Sequence, residues 1–248
     1  MTWRGIEYNR YQMGHTSVLA LDTTSRAGSL ALLQDDGRLT MLVGDAARTH
    51  GERLPGDIAA LLSRAGARLS DVELFAVVNG PGSFTGLRVG IAAVQGLALA
   101  QDRRVVPVPA LEAFALAEEV GNGTVGVWID AQRRQVFAAR YRKTGGTLAA
   151  LGPAVSLPPD EVAARWREDG AAPETLVGGG IDLFEHVARR AWPGARIVAP
   201  APPLAPIAAR IASARPELAV PPHAIAPIYV RAADAEIVRD RSSRARER

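Results

Sequence analysis

The sequence predicts an α/β protein in which helices pack on the faces of a mixed β-sheet. Three strand-like segments follow one another near the start of the chain, as in an antiparallel meander. The later strand-like segments alternate with helix-like segments. Apolar residues make up 48% of the 248 residues, which is ample for a sizeable core, and the length allows one large domain or two small ones.

The first half of the chain supplies the meander and then two helix–strand pairs. Residues 17–22 form a short apolar run that ends in an acid, which is typical of a buried strand. Residues 28–43 predict two strands joined by the tight turn DDG. Residues 50–66 carry apolar side chains at helical spacing, and Gly66 is suited to end that helix. The other elements predicted here are strand 73–80, helix 85–101, strand 104–108 and helix 110–120.

A second unit is predicted to begin after the sequence GNG. Residues 124–142 indicate another hairpin, which turns around AQRR. Residues 158–168 open with prolines and acids, as a helix start should. Residues 199–206, APAPPLAP, indicate a linker with no core-forming power. The other elements predicted here are strand 175–180, helix 181–191, helix 207–215 and the extended segment 224–231.

Composition excludes several classes of protein. The absence of cysteine excludes disulfides, thiolate zinc sites and cysteine nucleophiles. There is no apolar run of about 18 residues, and the N-terminus lacks the apolar region of a signal peptide, so we expect a soluble cytoplasmic protein without membrane contact. The sequence pI of 9.8 indicates either a general bias toward arginine, which we favour, or a surface that meets tRNA or another polyanion.

The segment NGPGSFTGLRVG, residues 79–90, resembles a phosphate-binding loop. It lacks the lysine and the spacing of a Walker A motif, and Thr85 stands where the third glycine of G-x-G-x-x-G belongs. Spacing alone therefore favours a tight turn into a helix, with Ser83 or Thr85 as the N-cap. A vestigial phosphate loop stays open as the alternative, and its candidate glycines are Gly80, Gly82 and Gly86.

Other polar residues offer little to build a catalytic centre. Asp22 and Thr23 end the first strand, where they orient a phosphate or metal or simply close a turn. The four histidines show neither H-x-x-x-H nor H-E-x-x-H spacing, so no metal site is expected. No G-x-S-x-G elbow surrounds Ser83, and a distant pairing with His50 is disfavoured. His50 is expected to cap a helix or to lie on the surface.

Five segments together resemble the bacterial TsaB (YeaZ) family, which acts in tRNA threonylcarbamoyladenosine biosynthesis. They are LALDTTSRAGSLALL, THGERLP, NGPGSFTGLRVGIAAVQGLALA, VWIDAQRRQVFAARY and PIYVR, and they span about Val18 to Arg231. The resemblance implies the actin-like ATPase fold, with two related lobes that each hold a mixed sheet flanked by helices. It places the N-terminal lobe at 1–120, with residues 1–16 as an extension, the C-terminal lobe at 121–231 and a charged tail at 232–248.

The resemblance also implies a function. Catalytic relatives of the TsaD type bind ATP and a metal through an H-x-x-x-H pair, whereas residues 109–113 here read PALEA. We therefore expect a non-catalytic subunit, without cofactor or metal, that pairs with a TsaD-type enzyme. Two alternatives stay open: an active ATPase or kinase, for which Asp22 and Asp130 are the candidate magnesium ligands, and a glycoprotease.

The expected partners are a TsaD-type paralogue, a TsaE-type ATPase, a second copy of the chain and, through the complex, tRNA. Helices 50–66 and 85–101 show more apolar surface than one core contact needs, which is typical of an interface. Two stripes of the second helix compete for the outward face, and one of them runs through Leu87, Ile91, Val94 and Ala98. The interface candidates are Leu54, Ile58, Leu62, Val89, Ala92, Ala93 and Gly96.

Overall fold

The computed structural model describes residues 16–230, and the remaining parts of the predicted extension and tail lie outside the described residues. The first sheet has five strands in the order β3-β2-β1-β4-β5. β1 pairs antiparallel with β2 and parallel with β4, so the sheet is mixed as predicted. Its strands are β1 (Val18–Asp22), β2 (Ser29–Leu33), β3 (Leu39–Val43), β4 (Leu74–Gly80) and β5 (Arg104–Pro109).

The second sheet is built around the predicted hairpin of the second unit. Its main path runs in the order β11-β10-β6-β7-β8, and β9 also pairs with β7. β6 is antiparallel to β7 and parallel to β10, so this sheet is mixed as well. Its strands are β6 (Gly123–Asp130), β7 (Val136–Thr144), β8 (Thr147–Ala150), β9 (Val155–Leu157), β10 (Thr175–Val177) and β11 (Arg196–Val198).

Helices pack on both sheets, so the structure is an α/β fold with two mixed sheets flanked by helices, as predicted. β1 shows why both faces of the first sheet are covered: successive side chains of a strand point to opposite faces, and all five residues of β1 are buried. Leu19 joins the core beneath α1 and α2, and Ala20 joins the core beneath α3 and α6. The helices are α1 (His50–Ala65), α2 (Phe84–Ala100), α3 (Ala110–Leu116), α4 (Pro159–Glu168), α5 (Gly179–Ala191) and α6 (Leu204–Ala214).

The boundaries of α1 follow from its capping residues. The carboxylate of Glu52 accepts a hydrogen bond of 2.8 Å from the main-chain N–H of Thr49, which precedes the helix. At the other end Gly66 has a φ of 65°, the left-handed conformation that commonly ends a helix, as predicted. The sequence therefore contains both the start and the stop of this helix.

The structure corrects some predicted boundaries. α3 ends at Leu116, four residues before the predicted end at 120. The predicted linker 199–206 is wrong in its last part, because Leu204, Ala205 and Pro206 open α6 and are buried. Proline is accepted in the first turn of a helix, where its missing N–H has no partner to lose. The described part of the predicted extended segment, residues 224–230, contains no regular strand, although Ile228 donates a 2.7 Å hydrogen bond to the carbonyl of Asn79.

The last helix connects the two parts of the chain. α6 follows the second sheet in sequence but packs on β1, β2 and β4 of the first sheet. The division of the chain into two lobes at residue 120 stays a prediction. Because α6 packs on the first sheet, Leu204–Ala214 lie with the strands of the N-terminal part although they follow the second sheet in sequence. Within residues 16–230, no helix is long and apolar enough to cross a membrane.

Candidate functional site

The glycine-rich loop leads directly from β4 into α2. Gly80 ends the strand with a φ of 117°, a conformation that favours glycine, and its Cα faces the carbonyl of Ile228. Ser83 is the N-cap of α2, and its Oγ accepts a hydrogen bond of 3.2 Å from the N–H of Gly86. Of the two predicted caps, Ser83 takes this role, and Thr85 lies inside the helix.

Close contact with the β1–β2 loop explains the other glycines of this segment. A Cβ atom on Gly82 would lie under 3.0 Å from Thr24, and one on Gly86 would lie under 3.0 Å from the carbonyl oxygen of Thr23. The N–H of Ser83 donates a 2.8 Å hydrogen bond to the carbonyl of Thr24. The β1–β2 loop and the β4–α2 loop, which carry the predicted phosphate-loop candidates, are therefore packed against each other.

This packing bears on whether the loop can hold a phosphate. A phosphate-binding loop needs backbone N–H groups that point at the ligand. Here the N–H groups of Ser83 and Gly86 are bonded within the two loops, and the N–H of Thr24 donates to Asp22 at 2.9 Å. The structure brings together the five predicted candidates Asp22, Thr23, Gly80, Gly82 and Gly86, and it gives them contacts with their own chain.

Asp22 is a buried carboxylate held by hydroxyl and backbone donors. It accepts hydrogen bonds from Thr24 Oγ1 at 2.6 Å and from Ser29 Oγ at 3.5 Å. Burial raises its pKa, and the hydrogen bonds from Thr24 oppose that shift. Ser29 Oγ also accepts a 3.0 Å hydrogen bond from the N–H of Ala205 at the start of α6. Asp22 therefore ties the β1–β2 loop to β2 and, through Ser29, to α6.

A polar cluster fixes the β1–β2 loop on α1. His50 Nε2 lies 2.8 Å from the carbonyl oxygen of Ser25, so this nitrogen carries the proton. Its Nδ1 lies 3.0 Å from a guanidinium nitrogen of Arg53. The Arg53 side chain is buried and also donates hydrogen bonds to the carbonyl of Ala27 and the carboxylate of Asp57. Arg53 is not among the site residues predicted from the sequence, although a charged residue beside the apolar stripe of a helix is a signal of such a role.

The residues that the sequence offered as catalytic pairs have other partners in the described structure. His50 bonds Ser25 and Arg53, and the Oγ of Ser83 accepts the capping hydrogen bond from Gly86, so each of these two residues is held by a partner other than the one considered. Asp130, the second magnesium candidate, accepts hydrogen bonds from the N–H and the amide of Gln132 at 2.8 and 2.6 Å. Among residues 16–230, no three His, Asp or Glu side chains lie close enough together to hold a metal ion.

Residues 109–113, where the resemblance implies a histidine pair in catalytic relatives, form the end of β5 and the start of α3. Glu112 is the one ionisable group there, and its Oε2 is buried without a hydrogen-bond partner in the described structure. Burial raises the pKa of Glu112 to about 7. Burial and the nearby Glu112 carboxylate both raise the pKa of Tyr141. This environment disfavours a charged carboxylate.

The two helices proposed as an interface divide into inner and outer faces. The stripe of Leu87, Ile91, Val94 and Ala98 is buried beneath α2, which resolves which stripe faces outward. Ala92 and Gly96 are exposed, and Val89 and Ala93 are half-buried at the margin of the core. On α1 the prediction is wrong for Leu54, Ile58 and Leu62, because all three pack in the core of their own chain. Their apolar spacing reflects intramolecular packing.

A cleft lies beside the two loops. Its volume is about 1150 Å³, and it lies between the loop ends of the first sheet and the elements of the second sheet. Asp22 and Gly82 line it from the first sheet, and Asp130 and Leu183 line it from the second. Of the predicted phosphate-loop candidates, only Asp22 and Gly82 reach this cleft.

Comparison with known proteins places this architecture in a family. Residues 44–185 match the family model described as TsaD, tRNA N6-adenosine threonylcarbamoyltransferase. A TsaB protein of Haemophilus influenzae is 40% identical over 50% of this chain and 53% of its own length. The TsaB protein of Escherichia coli is 35% identical over 51% of this chain and 55% of its own length. The matched region thus spans about half the length of these curated relatives.

A solved structure extends the similarity over nearly the whole chain. It is a Pseudomonas aeruginosa protein described as similar to the peptidase YeaZ, with 34% identity and a TM-score of 0.71. The alignment covers 87% of this chain and 100% of that one. A second structure, YeaZ from the same organism, has 33% identity and a TM-score of 0.68, and it covers 86% of this chain and 99% of its own. The chain belongs to the TsaB (YeaZ) family.

Proposed function

We propose that this chain is a non-catalytic subunit that pairs with a TsaD-type enzyme in threonylcarbamoylation of the tRNA adenosine next to the anticodon. The relatives from Haemophilus influenzae and Escherichia coli are named as tRNA threonylcarbamoyladenosine biosynthesis proteins, which supports this assignment. The matching family model is that of the transferase itself, which supports kinship with the enzyme. The reaction then takes place in the cytoplasm, together with the tRNA.

The packing of the two loops is the observation that supports a non-catalytic role. Gly82 and Gly86 lie against Thr24 and Thr23, and the N–H groups of Ser83 and Gly86 are bonded inside the chain. A phosphoryl-binding loop must present such donors to its ligand. The segment PALEA at 109–113 also lacks the histidine pair that holds the metal in the catalytic relatives.

The outward face of α1 and α2 is the surface that we assign to the partner enzyme, and we call it the small-residue face. On α2 it contains Ala92 and Gly96, with Val89 and Ala93 at its margin. On α1 it contains the exposed Gly56, Ala59 and Ala60. They replace the predicted Leu54, Ile58 and Leu62, which are buried. Small side chains allow the backbone of another helix to approach closely.

Two glycines in these helices support an external contact. Among residues 16–230, a Cβ atom added at Gly56 or at Gly96 would meet nothing within 4 Å. Glycine inside a helix costs about 1 kcal/mol relative to alanine, and nothing in the described part of the chain offsets that cost. Close contact with a second molecule explains why glycine stands at both positions.

The geometry of two neighbouring helices suggests how the partner docks. α1 and α2 contact each other and both cover the first sheet, so an equivalent pair from a related subunit completes a four-helix bundle. A TsaD-type paralogue is the primary partner. A second copy of this chain uses the same face when the paralogue is absent, because an isologous contact needs only self-complementarity. A TsaE-type ATPase then binds the assembled pair.

A reconstitution experiment tests the proposal. The purified chain alone should form no threonylcarbamoyladenosine, and the chain together with its TsaD-type paralogue should be pulled down as a complex. Ala92→Glu places a charge in the small-residue face and should weaken this complex by about tenfold or more, because a charge buried without a partner is costly. Ala149→Glu, at an exposed position of β8, is the matched control and should bind normally.

Two outcomes would contradict parts of the proposal separately. Formation of the modified nucleoside by the isolated chain would show that it is catalytic. Equal binding by Ala92→Glu and Ala149→Glu, with both variants folded by circular dichroism, would place the interface outside the small-residue face.

A further inference from the structure

The exposed apolar side chains of this protein are concentrated around one cleft. Six large apolar side chains are exposed within residues 16–230. Four of them, Val43, Phe84, Leu183 and Tyr229, line the cleft between the two sheets, whereas Leu99 lies elsewhere. Single exposed apolar residues need no explanation, but a contiguous group around a concave surface is typical of a binding site.

The walls of the cleft suit a ligand with an apolar body. Phe114 from the first unit and Ile129 and Phe137 from the second form its inner surface. Small-molecule sites usually have volumes of about 300–1000 Å³ and mainly apolar linings. The volume of about 1150 Å³ here is therefore enough to enclose most of a small organic molecule.

Aromatic contacts support one side of the cleft mouth. The rings of Phe84 and Tyr229 lie with their centroids 5.4 Å apart in a tilted arrangement. The guanidinium of Arg88 lies 3.9 Å from the centroid of the Phe84 ring. Phe84 is therefore held by neighbours on two sides although it is exposed, so the mouth is largely formed before a ligand arrives.

Arg26 gives an anionic group a partner at the cleft mouth. Each of its three acids is satisfied by its own chain: Asp22 by Thr24, Asp130 by Gln132, and Asp182 by the N–H of Ala201 at 3.0 Å. Arg26 also lines the cleft, and within residues 16–230 it has no hydrogen-bond or ion-pair partner. A ligand with one negative group can pair with this arginine at the mouth while its apolar part enters.

We propose that this cleft binds a small amphipathic anion, with an apolar body on the order of ten carbons and a single carboxylate or sulfonate group. The ligand differs from a nucleoside triphosphate, because the N–H groups of Ser83 and Gly86 in the glycine loop beside the cleft are already bonded within the chain. The site is also separate from the small-residue face of α1 and α2, so it can be tested independently of partner docking.

Dye binding to the full-length chain tests this proposal. The anionic dye 1-anilinonaphthalene-8-sulfonate should bind at one saturable site, and decanoate should displace it. Leu183→Asp and Val43→Asp, on opposite sides of the cleft, should each weaken dye binding by about tenfold, because they place an acid against an apolar ligand. Leu99→Asp is the matched control, an exposed leucine outside the cleft, and it should leave the affinity unchanged.

A neutral dye isolates the role of Arg26. Arg26→Gln should weaken binding of the sulfonate dye by about fivefold and leave binding of the neutral N-phenyl-1-naphthylamine unchanged. Three results would overturn the proposal: no saturable binding by the folded chain, an equal loss in Leu99→Asp and Leu183→Asp, or competitive displacement of the dye by magnesium ATP. The last result would identify the cleft as a nucleotide site.

Discussion

Replacing Gly86 with alanine tests the closed-loop interpretation directly. A Cβ atom at this position would lie under 3.0 Å from the main-chain carbonyl oxygen of Thr23. That oxygen cannot move alone, because the next carbonyl, that of Thr24, accepts the hydrogen bond from Ser83. The substitution must therefore separate the two loops or shift the start of α2.

The expected magnitude follows from three effects. Forced overpacking in a close contact costs about 1–3 kcal/mol. A strained or lost hydrogen bond between Ser83 and Thr24 adds about 1 kcal/mol. Alanine is a better helix former than glycine by about 1 kcal/mol, which opposes the other two. We therefore expect Gly86→Ala to lower the free energy of unfolding by about 1–3 kcal/mol.

Gly96→Ala in the same helix is the matched control. No described residue lies within 4 Å of an added Cβ there, so only the helix preference acts, and the free energy of unfolding should rise by about 1 kcal/mol. Urea unfolding of both variants measures the difference, expected at about 2–4 kcal/mol. Equal stability of the two variants would refute the reasoning. Unchanged stability of Gly86→Ala with reduced ATP affinity would show instead that the loop is a working phosphate site.

Two further predictions concern buried charged groups. Burial raises the pKa of Glu112 to about 7, above its value in the unfolded chain. The contribution of this group to the free energy of unfolding is therefore fully present below the unfolded pKa and is lost as the pH rises through about 7. The loss should amount to about 3 kcal/mol between about pH 5 and about pH 8, and Glu112→Gln should remove it. Urea unfolding at several pH values measures the loss, and a pH profile unchanged by the substitution would contradict the prediction. Arg53→Met should destabilise the chain by about 2–4 kcal/mol, because the carbonyl of Ala27 and the carboxylate of Asp57 lose their donor. A thermal melt that matches the unsubstituted chain would contradict this second prediction.

Local sequence predicted the elements of this fold better than it predicted the site. The meander, the hairpin of the second unit and the stop of α1 at Gly66 were predicted because turn chemistry and periodicity act over a few residues. α6 was placed too late in the chain because the proline-rich start resembled a linker. The stripe of Leu54 and Ile58 suggested an interface because periodicity identifies an apolar face without showing what covers it.

The site depended on contacts that are distant in sequence. Gly82 and Gly86 lie close to Thr23 and Thr24 only because β1 and β4 are parallel neighbours in the sheet, which brings the loops after both strands to one edge. Spacing within residues 79–90 carries no information about that neighbour. The sequence therefore left the turn and the phosphate loop as alternatives, and the tertiary contact favours the turn.

Glycine has two opposite roles in α1 and α2, and the difference separates the inside of this protein from its proposed interface. Gly86 and Gly90 lie on the inner side of α2, where an added Cβ would approach Thr23 to under 3.0 Å, so the fold itself requires them. Gly56 and Gly96 lie on the outer side, where an added Cβ would meet no atom of the part of the chain that the structure describes within 4 Å. No contact within residues 16–230 requires glycine at these two positions, and each glycine lowers helix stability by about 1 kcal/mol. A partner that approaches the small-residue face closely supplies the missing reason. Gly96→Ala should therefore separate two properties that usually change together, because it should stabilise the isolated chain while weakening its complex with the partner.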